Sequence, residues 1–350
     1  MRRLLFVILV ILLALACAGS ASAYPWPFKP FNKQHPIRGF FGDPRTVYEN
    51  GILAGAFDGP SFISFHQGVD IAAPNGTPIY AVEDGVVHYL GAATLNLATD
   101  HDVTFQYFHI IPVAGEGQHA IAKRTILGYV QPPFGHVHIT EIDGIHAVNP
   151  LQRGHLTPFK DKTRPVVRDI VVRNQSGEVQ TPVGLCGRVE LDVDAYDPQP
   201  LPVPGTYKGL PVAPAFVQWS MTRVGGKVVV PLKTVADFRQ TLPANAQFGN
   251  FYAKGTYENS PRFGREQYAG MPGRYLFLLA GNYDTTNVPN GNYVILVRVA
   301  DVRGNHSVGT ERISILNAKS GVCPGSLPAP PTTTPPPTEP PGGSSSSVQP

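Results

Sequence analysis

Apolar and polar residues alternate with period two along much of this chain, and sustained helical periodicity is missing. The pattern predicts strands near Ile37 to Phe41, Pro78 to Val82, Val86 to Leu90, Val103 to Ile111 and Gly135 to Ile142. Glu83-Asp84-Gly85 separates two of these runs, and an Asp-Gly pair in that position predicts a hairpin. From Arg153 to Pro165 the texture turns polar and proline-containing, which predicts a linker. A second series of strands follows at Val166 to Val172, Arg188 to Ala195, Ala215 to Thr222, Lys227 to Leu232, Tyr275 to Leu279, Tyr293 to Val302 and Arg312 to Leu316. Seven strands with turn signals such as Pro289-Asn290-Gly291-Asn292 predict an immunoglobulin-like β-sandwich. The stretch from Lys233 to Gly273 is less regular and predicts loops.

The fold class expected is all-β: a compact antiparallel sheet core over 24–155, then the sandwich over 165–320. Residues 327–350 are almost wholly Pro, Thr, Ser and Gly, so they lack the apolar surface to offset the entropy of ordering. They predict a disordered tail.

The start of the chain bears on compartment. Arg2 and Arg3 precede thirteen apolar residues, Leu4 to Ala16, and Ala21-Ser22-Ala23 supplies small residues in an A-x-A arrangement. This is the pattern of a secretory signal over residues 1–23. The apolar run falls short of the roughly 20 residues a spanning helix needs. Ala14-Leu15-Ala16-Cys17 offers a second reading, lipidation at Cys17, with alanine where leucine is usual. Membrane attachment is expected only in that case. The formal net charge of the whole chain is +3. Removing the signal takes away two arginines and no acid, and no basic stripe remains, which excludes nucleic acid as the expected partner. Cys186 and Cys323 then remain as the cysteines of the exported chain, and sequence alone leaves open whether they meet.

Five residues carry the chemistry. His136 and His138 lie two apart beside Val137 and Ile139, so on a strand both imidazoles project to one face. His109, on another predicted strand, can reach that face. His66 and Asp70 are four apart, roughly 13 Å along a straight strand and too far for shared ligation. The chain must bend between them, and Gly68 is the natural bending point.

These residues stand in motifs that resemble the lysostaphin-like, or β-lytic, zinc metalloendopeptidase family. The motifs are His66-Gln67-Gly68-Val69-Asp70 running on to Pro78, the Val82 to Val87 segment, Tyr107-Phe108-His109-Ile110, Gly135-His136-Val137-His138 and Val148-Asn149-Pro150. They occur in the family's order over residues 37–150. The resemblance implies Zn2+ held by His66, Asp70 and His138, with His109 and His136 as non-ligand catalytic histidines. It implies a secreted or envelope-associated enzyme that hydrolyses peptide bonds in bacterial peptidoglycan, or else a wall-binding relative that keeps the fold without turnover. Three stretches depart from the family pattern: Gly128 to Phe134, Ala92 to Asp102, and Ile139-Thr140. They are expected to bear on substrate preference more than on metal binding. No H-E-x-x-H occurs, which excludes a thermolysin-type site. A zinc D,D-carboxypeptidase is disfavoured by the short His-to-Asp spacing.

Other residues invite plainer readings. Glu141 should face away from His138 on a strand, and Asp84 should serve its turn. Arg45 reads as a surface residue more readily than as part of a groove, and Trp219 as core. His88 and His101 read as ordinary strand or loop residues, and His119, His146 and His155 as solvated loop residues.

Overall fold

The computed structural model describes residues 23–49, 52–53, 63–91, 93–263, 266–318 and 323. The expected signal segment, the lipidation site at Cys17 and the tail over 327–350 lie outside them, apart from Ala23. The fold is nearly all β, with antiparallel sheets dominating.

The first half is built on one large sheet. Its strand order is Ile37–Gly39, Val69–Ala72, His136–Asp143, Val103–Phe108, Thr94–Ala98, Gly85–Gly91 and His119–Ala120, with His146–Val148 pairing His136–Asp143. A smaller sheet joins Ile110–Pro112, Ile126–Val130 and Pro78–Tyr80. Alternation explains the core. Leu95, Leu97, Phe105 and Tyr107 turn one face inward, and Val69, Ile71, Val137 and Ile139 continue it.

Several expectations change. The Asp-Gly hairpin does not form: Pro78–Tyr80 pairs with Ile126–Val130, whereas Gly85–Gly91 pairs with Thr94–Ala98 and His119–Ala120. Asp84 instead caps a neighbouring turn, accepting the Ala122 N–H at 2.7 Å. The run from Val103 to Ile111 is two strands, because His109 takes φ +61° and breaks the ladder. The 153–165 segment is no free linker. Leu156 and Phe159 are buried in the first core, and Trp26 Nε1–H donates to the Pro158 carbonyl. His155, expected in solvent, is 8% exposed, with Nδ1 2.8 Å from Glu141. Tyr24 O–H donates to the same carboxylate at 2.7 Å. Glu141 therefore faces away from His138, as strand geometry predicts.

The second half has two antiparallel sheets around one core. One contains Val166–Arg173, Arg188–Tyr196 and Leu276–Asp284. The other contains Val228–Asp237, Phe216–Arg223, Gly291–Ala300 and His306–Ile315. Trp219 is fully buried between them with Val193, Val217 and Ile295. Cys186 and Cys323 are joined in a disulfide.

The two halves interlock. Phe65 sits in the second core against Phe238 and Phe248, and Val212 sits in the first. Tyr252 O–H donates to the Gly42 carbonyl at 2.8 Å, and Asn149 Nδ2 donates to the Phe238 carbonyl at 2.9 Å. The Arg262–Phe263 strand lies parallel to Val47–Glu49, so one small sheet contains segments from both halves.

Candidate active site

Strand register sets the site. Asp70 on Val69–Ala72 stands directly opposite His138 on His136–Asp143, and His138 stands opposite Phe108 on its other side. His109 follows Phe108. His66 lies just outside the short Ser64–Phe65 strand, and the chain turns through Gln67 and Gly68 before Val69.

That turn depends on Gly68. A Cβ there would stand 2.1 Å from the Ile139 carbonyl oxygen and 2.8 Å from His138 Nε2. The requirement is one of close approach to backbone that cannot yield. We predict that Gly68→Ala destabilises the protein by about 1–3 kcal/mol and weakens metal binding, because Ile139 and His138 must move together. Equal urea midpoints and equal metal content in the two proteins would count against this account.

The three residues expected to bind metal converge. His66 Nε2 is 2.8 Å from His138 Nδ1 and 3.1 Å from Asp70 Oδ1, and His138 Nδ1 is 3.0 Å from the same oxygen. Their other atoms are committed outward. His66 Nδ1–H donates to the Phe40 carbonyl at 2.8 Å, which leaves a lone pair on Nε2. His138 Nε2 is 2.8 Å from Thr140 Oγ1, a pairing that leaves Nδ1 for the centre. Asp70 Oδ2 accepts from Arg45 at 2.7 Å, freeing Oδ1.

Two imidazole lone pairs and a carboxylate oxygen facing one point repel one another unless a cation sits among them. Ligand atoms of a tetrahedral zinc site lie roughly 3.3 Å apart, given bonds of about 2.0–2.2 Å. The observed spacing is close to that, so the donor set fits the metal that the resemblance implies. The outward hydrogen bonds are the kind that orient metal-bound histidines.

Electrostatics agree. Burial, with the Arg45 charge added, pushes the His66 pKa down to about 3 and keeps the ring neutral. Burial also lowers the His138 pKa. For Asp70 burial acts upward, but His66, His136 and Arg45 together hold the carboxyl well below the usual range.

His136 and His109 occupy the flank. His136 Nδ1–H donates to the Phe134 carbonyl at 2.9 Å, so its Nε2 keeps a lone pair, which accepts from Arg38. That atom lies 3.5 Å from Asp70 Oδ1 and 3.3 Å from an Arg38 guanidinium nitrogen. The His109 ring stacks on Phe134 with centroids 4.2 Å apart and lies 4.6 Å from the His136 ring. Burial, with His136 contributing, lowers the His109 pKa to about 4.

The five residues line a groove of about 480 Å³. The second half supplies part of its wall, through Tyr207, Asn245, Glu258, Asn259 and Tyr275. Arg45 is no plain surface residue. It pairs with Asp70 and approaches Glu258 at 3.8 Å, bridging the halves. Arg38 lies under the Tyr207 ring at 4.3 Å and was not singled out by the sequence pattern. Thr140, expected to bear on substrate preference, touches His138, one of the three residues expected to bind metal. Its i+2 spacing from His138 on a strand was the available signal.

With the geometry in place, comparison with known proteins gives one family. The model of peptidase family M23 matches residues 64–150, a span that contains all five site residues. Among solved structures, pseudoalterin, described as a novel M23 metalloprotease from the deep sea, is 15% identical over 45% of this chain and 85% of its own, with a TM-score of 0.25. LytU is 24% identical over 35% of this chain and 87% of its own, with a TM-score of 0.26. Lysostaphin, solved by NMR, is 12% identical over 70% of this chain and 80% of its own, with a TM-score of 0.24. Scores this low carry no weight for the arrangement of the whole chain. No curated protein sequence matches it.

Proposed function

Taking as premise that residues 64–150 form a peptidase domain of family M23, we propose that this chain is a secreted zinc metalloendopeptidase that hydrolyses peptide bonds in bacterial peptidoglycan. The observation that carries the reading is the convergence of His66 Nε2, Asp70 Oδ1 and His138 Nδ1, each freed by an outward hydrogen bond, at the floor of an open groove.

His66, Asp70 and His138 would hold Zn2+ where they line the groove. Bound there, zinc would lower the pKa of a coordinated water to about 7 and polarise the scissile carbonyl. The remaining work falls to this chain's own residues. His136, its ring held through Nδ1 by the Phe134 carbonyl and its Nε2 lone pair turned toward Arg38 and Asp70, acts as the base that takes a proton from the attacking water. The same nitrogen then delivers that proton to the leaving amine. His109, kept neutral by burial, donates an N–H to the carbonyl oxygen as negative charge develops on it. Arg45 holds Asp70 by one oxygen and so fixes which oxygen faces the metal.

We predict that Arg45→Met, which keeps bulk but not charge, weakens zinc binding by about 10–100-fold. Competition with a zinc indicator measures it, and unchanged affinity would remove Arg45 from the site.

Export rests on the pattern of residues 1–23, and the Cys186–Cys323 disulfide supports it, since such bonds persist in oxidising compartments. The second half fits an immunoglobulin-like sandwich, with seven strands divided three and four.

The experiment uses the chain from Tyr24 onward, stripped with chelator and restored with Zn2+, incubated with purified peptidoglycan from several wall types. New amino groups should appear only in the restored protein, at about one zinc per chain. Zinc bound without cleavage of any wall type would favour a wall-binding role, and absence of zinc binding would sink the ligand assignment.

A further inference from the structure

A second cluster of acids, none of them lining the groove, lies where the two halves meet. Asp161 comes from the segment after the first half, Asp197 follows the Arg188–Tyr196 strand, and Asp301 follows the Gly291–Ala300 strand. Carboxylate oxygens from the three lie within 4.8 Å of one another. The cluster's independent mark is Asp197. It is 1% exposed, and neither of its carboxylate oxygens has a hydrogen-bond partner. Asp161 Oδ2 is likewise buried without a partner. Leaving such groups unpaired away from water is costly, and three carboxylates together add mutual repulsion.

We propose that Asp161, Asp197 and Asp301 bind a calcium ion that fastens the two halves of the chain together. Donor chemistry selects the class. All the available atoms are carboxylate oxygens, with no imidazole or thiolate among them, which suits a hard divalent cation rather than zinc. Asp161 Oδ1 and Asp301 are already oriented by local bonds, from Thr163 to the first and from Arg303 N–H, Asn305 N–H and Asn305 Nδ2 to the second. Their positions are therefore set before any ion arrives. Asp197 and Asp301 also line a small cavity, with Phe40 and Val302, that provides space beside the carboxylates. Arg303 is a nearby cation whose charge reaches Asp161 and Asp301, but one guanidinium nitrogen donates to the Phe159 carbonyl, the group lies over the Phe159 ring, and its Nε is itself buried without a partner. Burial first, then Asp161 and Asp301, pushes the Asp197 pKa well up, as expected for a carboxylate without its counter-ion.

Location gives the ion a consequence. Asp197 and Val212 exchange both backbone hydrogen bonds, at 2.7 and 2.9 Å, and close the base of the loop between them. That loop carries Tyr207, which covers Arg38 at the edge of the groove. Calcium at Asp197 therefore holds the base of one groove wall.

Calorimetric titration with CaCl2 tests the proposal, on the zinc-loaded chain from Tyr24 onward after dialysis against a calcium-selective chelator. One calcium per chain should bind, and the melting temperature should rise with it. His138→Ala, which disables the other site, should bind calcium equally well, whereas Asp197→Asn should raise the Kd at least tenfold. Absence of calcium binding in the parent protein overturns the proposal, as does unchanged affinity in Asp197→Asn. A higher melting temperature in Asp197→Asn, with no calcium effect in either protein, also overturns it, because the carboxylates would then only share protons. Where Asp197→Asn does not fold by circular dichroism, the same titration of Asp161→Asn decides.

Discussion

His138→Ala is expected to lose its zinc and, with it, essentially all hydrolysis of peptidoglycan, a fall of roughly 10³-fold or more, since the metal supplies several kcal/mol. His138 offers the Nδ1 that sits 2.8 Å from His66 and 3.0 Å from Asp70, and alanine leaves only two donors at that point. The informative partner is His136→Ala, two residues away on the same strand face. His136 points its Nε2 at the flank of the cluster, so its removal should leave about one zinc per chain and still lower kcat by about 10²–10⁴-fold. Elemental analysis and turnover, measured on the same preparations, separate the two roles. If both variants lost zinc alike, His136 would belong among the ligands. If His136→Ala kept full activity, another group would have to be the base.

Breaking the Cys186–Cys323 bond should cost about 5 kcal/mol of stability, nearly all of it through the unfolded chain. The bond closes a loop of 137 residues, which spans most of the second half. Freed of that constraint, the unfolded ensemble gains entropy that folding must then overcome. Locally the cross-link ties residue 323 beside Gly187, where the Arg188–Tyr196 strand begins. Urea unfolding of the Cys186→Ser, Cys323→Ser double variant should show a clearly lower midpoint. Because neither cysteine lines the groove, kcat at low temperature should change little. An unchanged midpoint would mean that the unfolded chain retains structure around this pair.

The class of fold was legible in the sequence, and so were the residues that meet at the candidate site. Period-two alternation specifies strands because successive side chains point to opposite faces, so Phe105 and Tyr107 in the Val103 to Ile111 run share a face that the structure buries, whereas the Thr94–Ala98 strand beside them was not predicted. The same rule placed His136 and His138 on one side and turned Glu141 away. The bend at Gly68 was also legible, since no straight strand brings His66 to Asp70.

Partner choice was not legible. Asp84-Gly85 looks like a hairpin turn, yet the flanking strands pair elsewhere, because local turn chemistry cannot compete with long-range ladders that bury both neighbours. His155 looked solvated because nothing near it in sequence reveals that Glu141 and Tyr24 will meet it in the interior. Arg45 looked like a surface cation because its partners, Asp70 and Glu258, lie 25 and 213 residues further on. The groove wall, the disulfide and the acid cluster share this property. Each joins residues far apart in the chain: the disulfide depends on how the second half folds on itself, and the groove wall and the acid cluster depend on the packing of one half against the other.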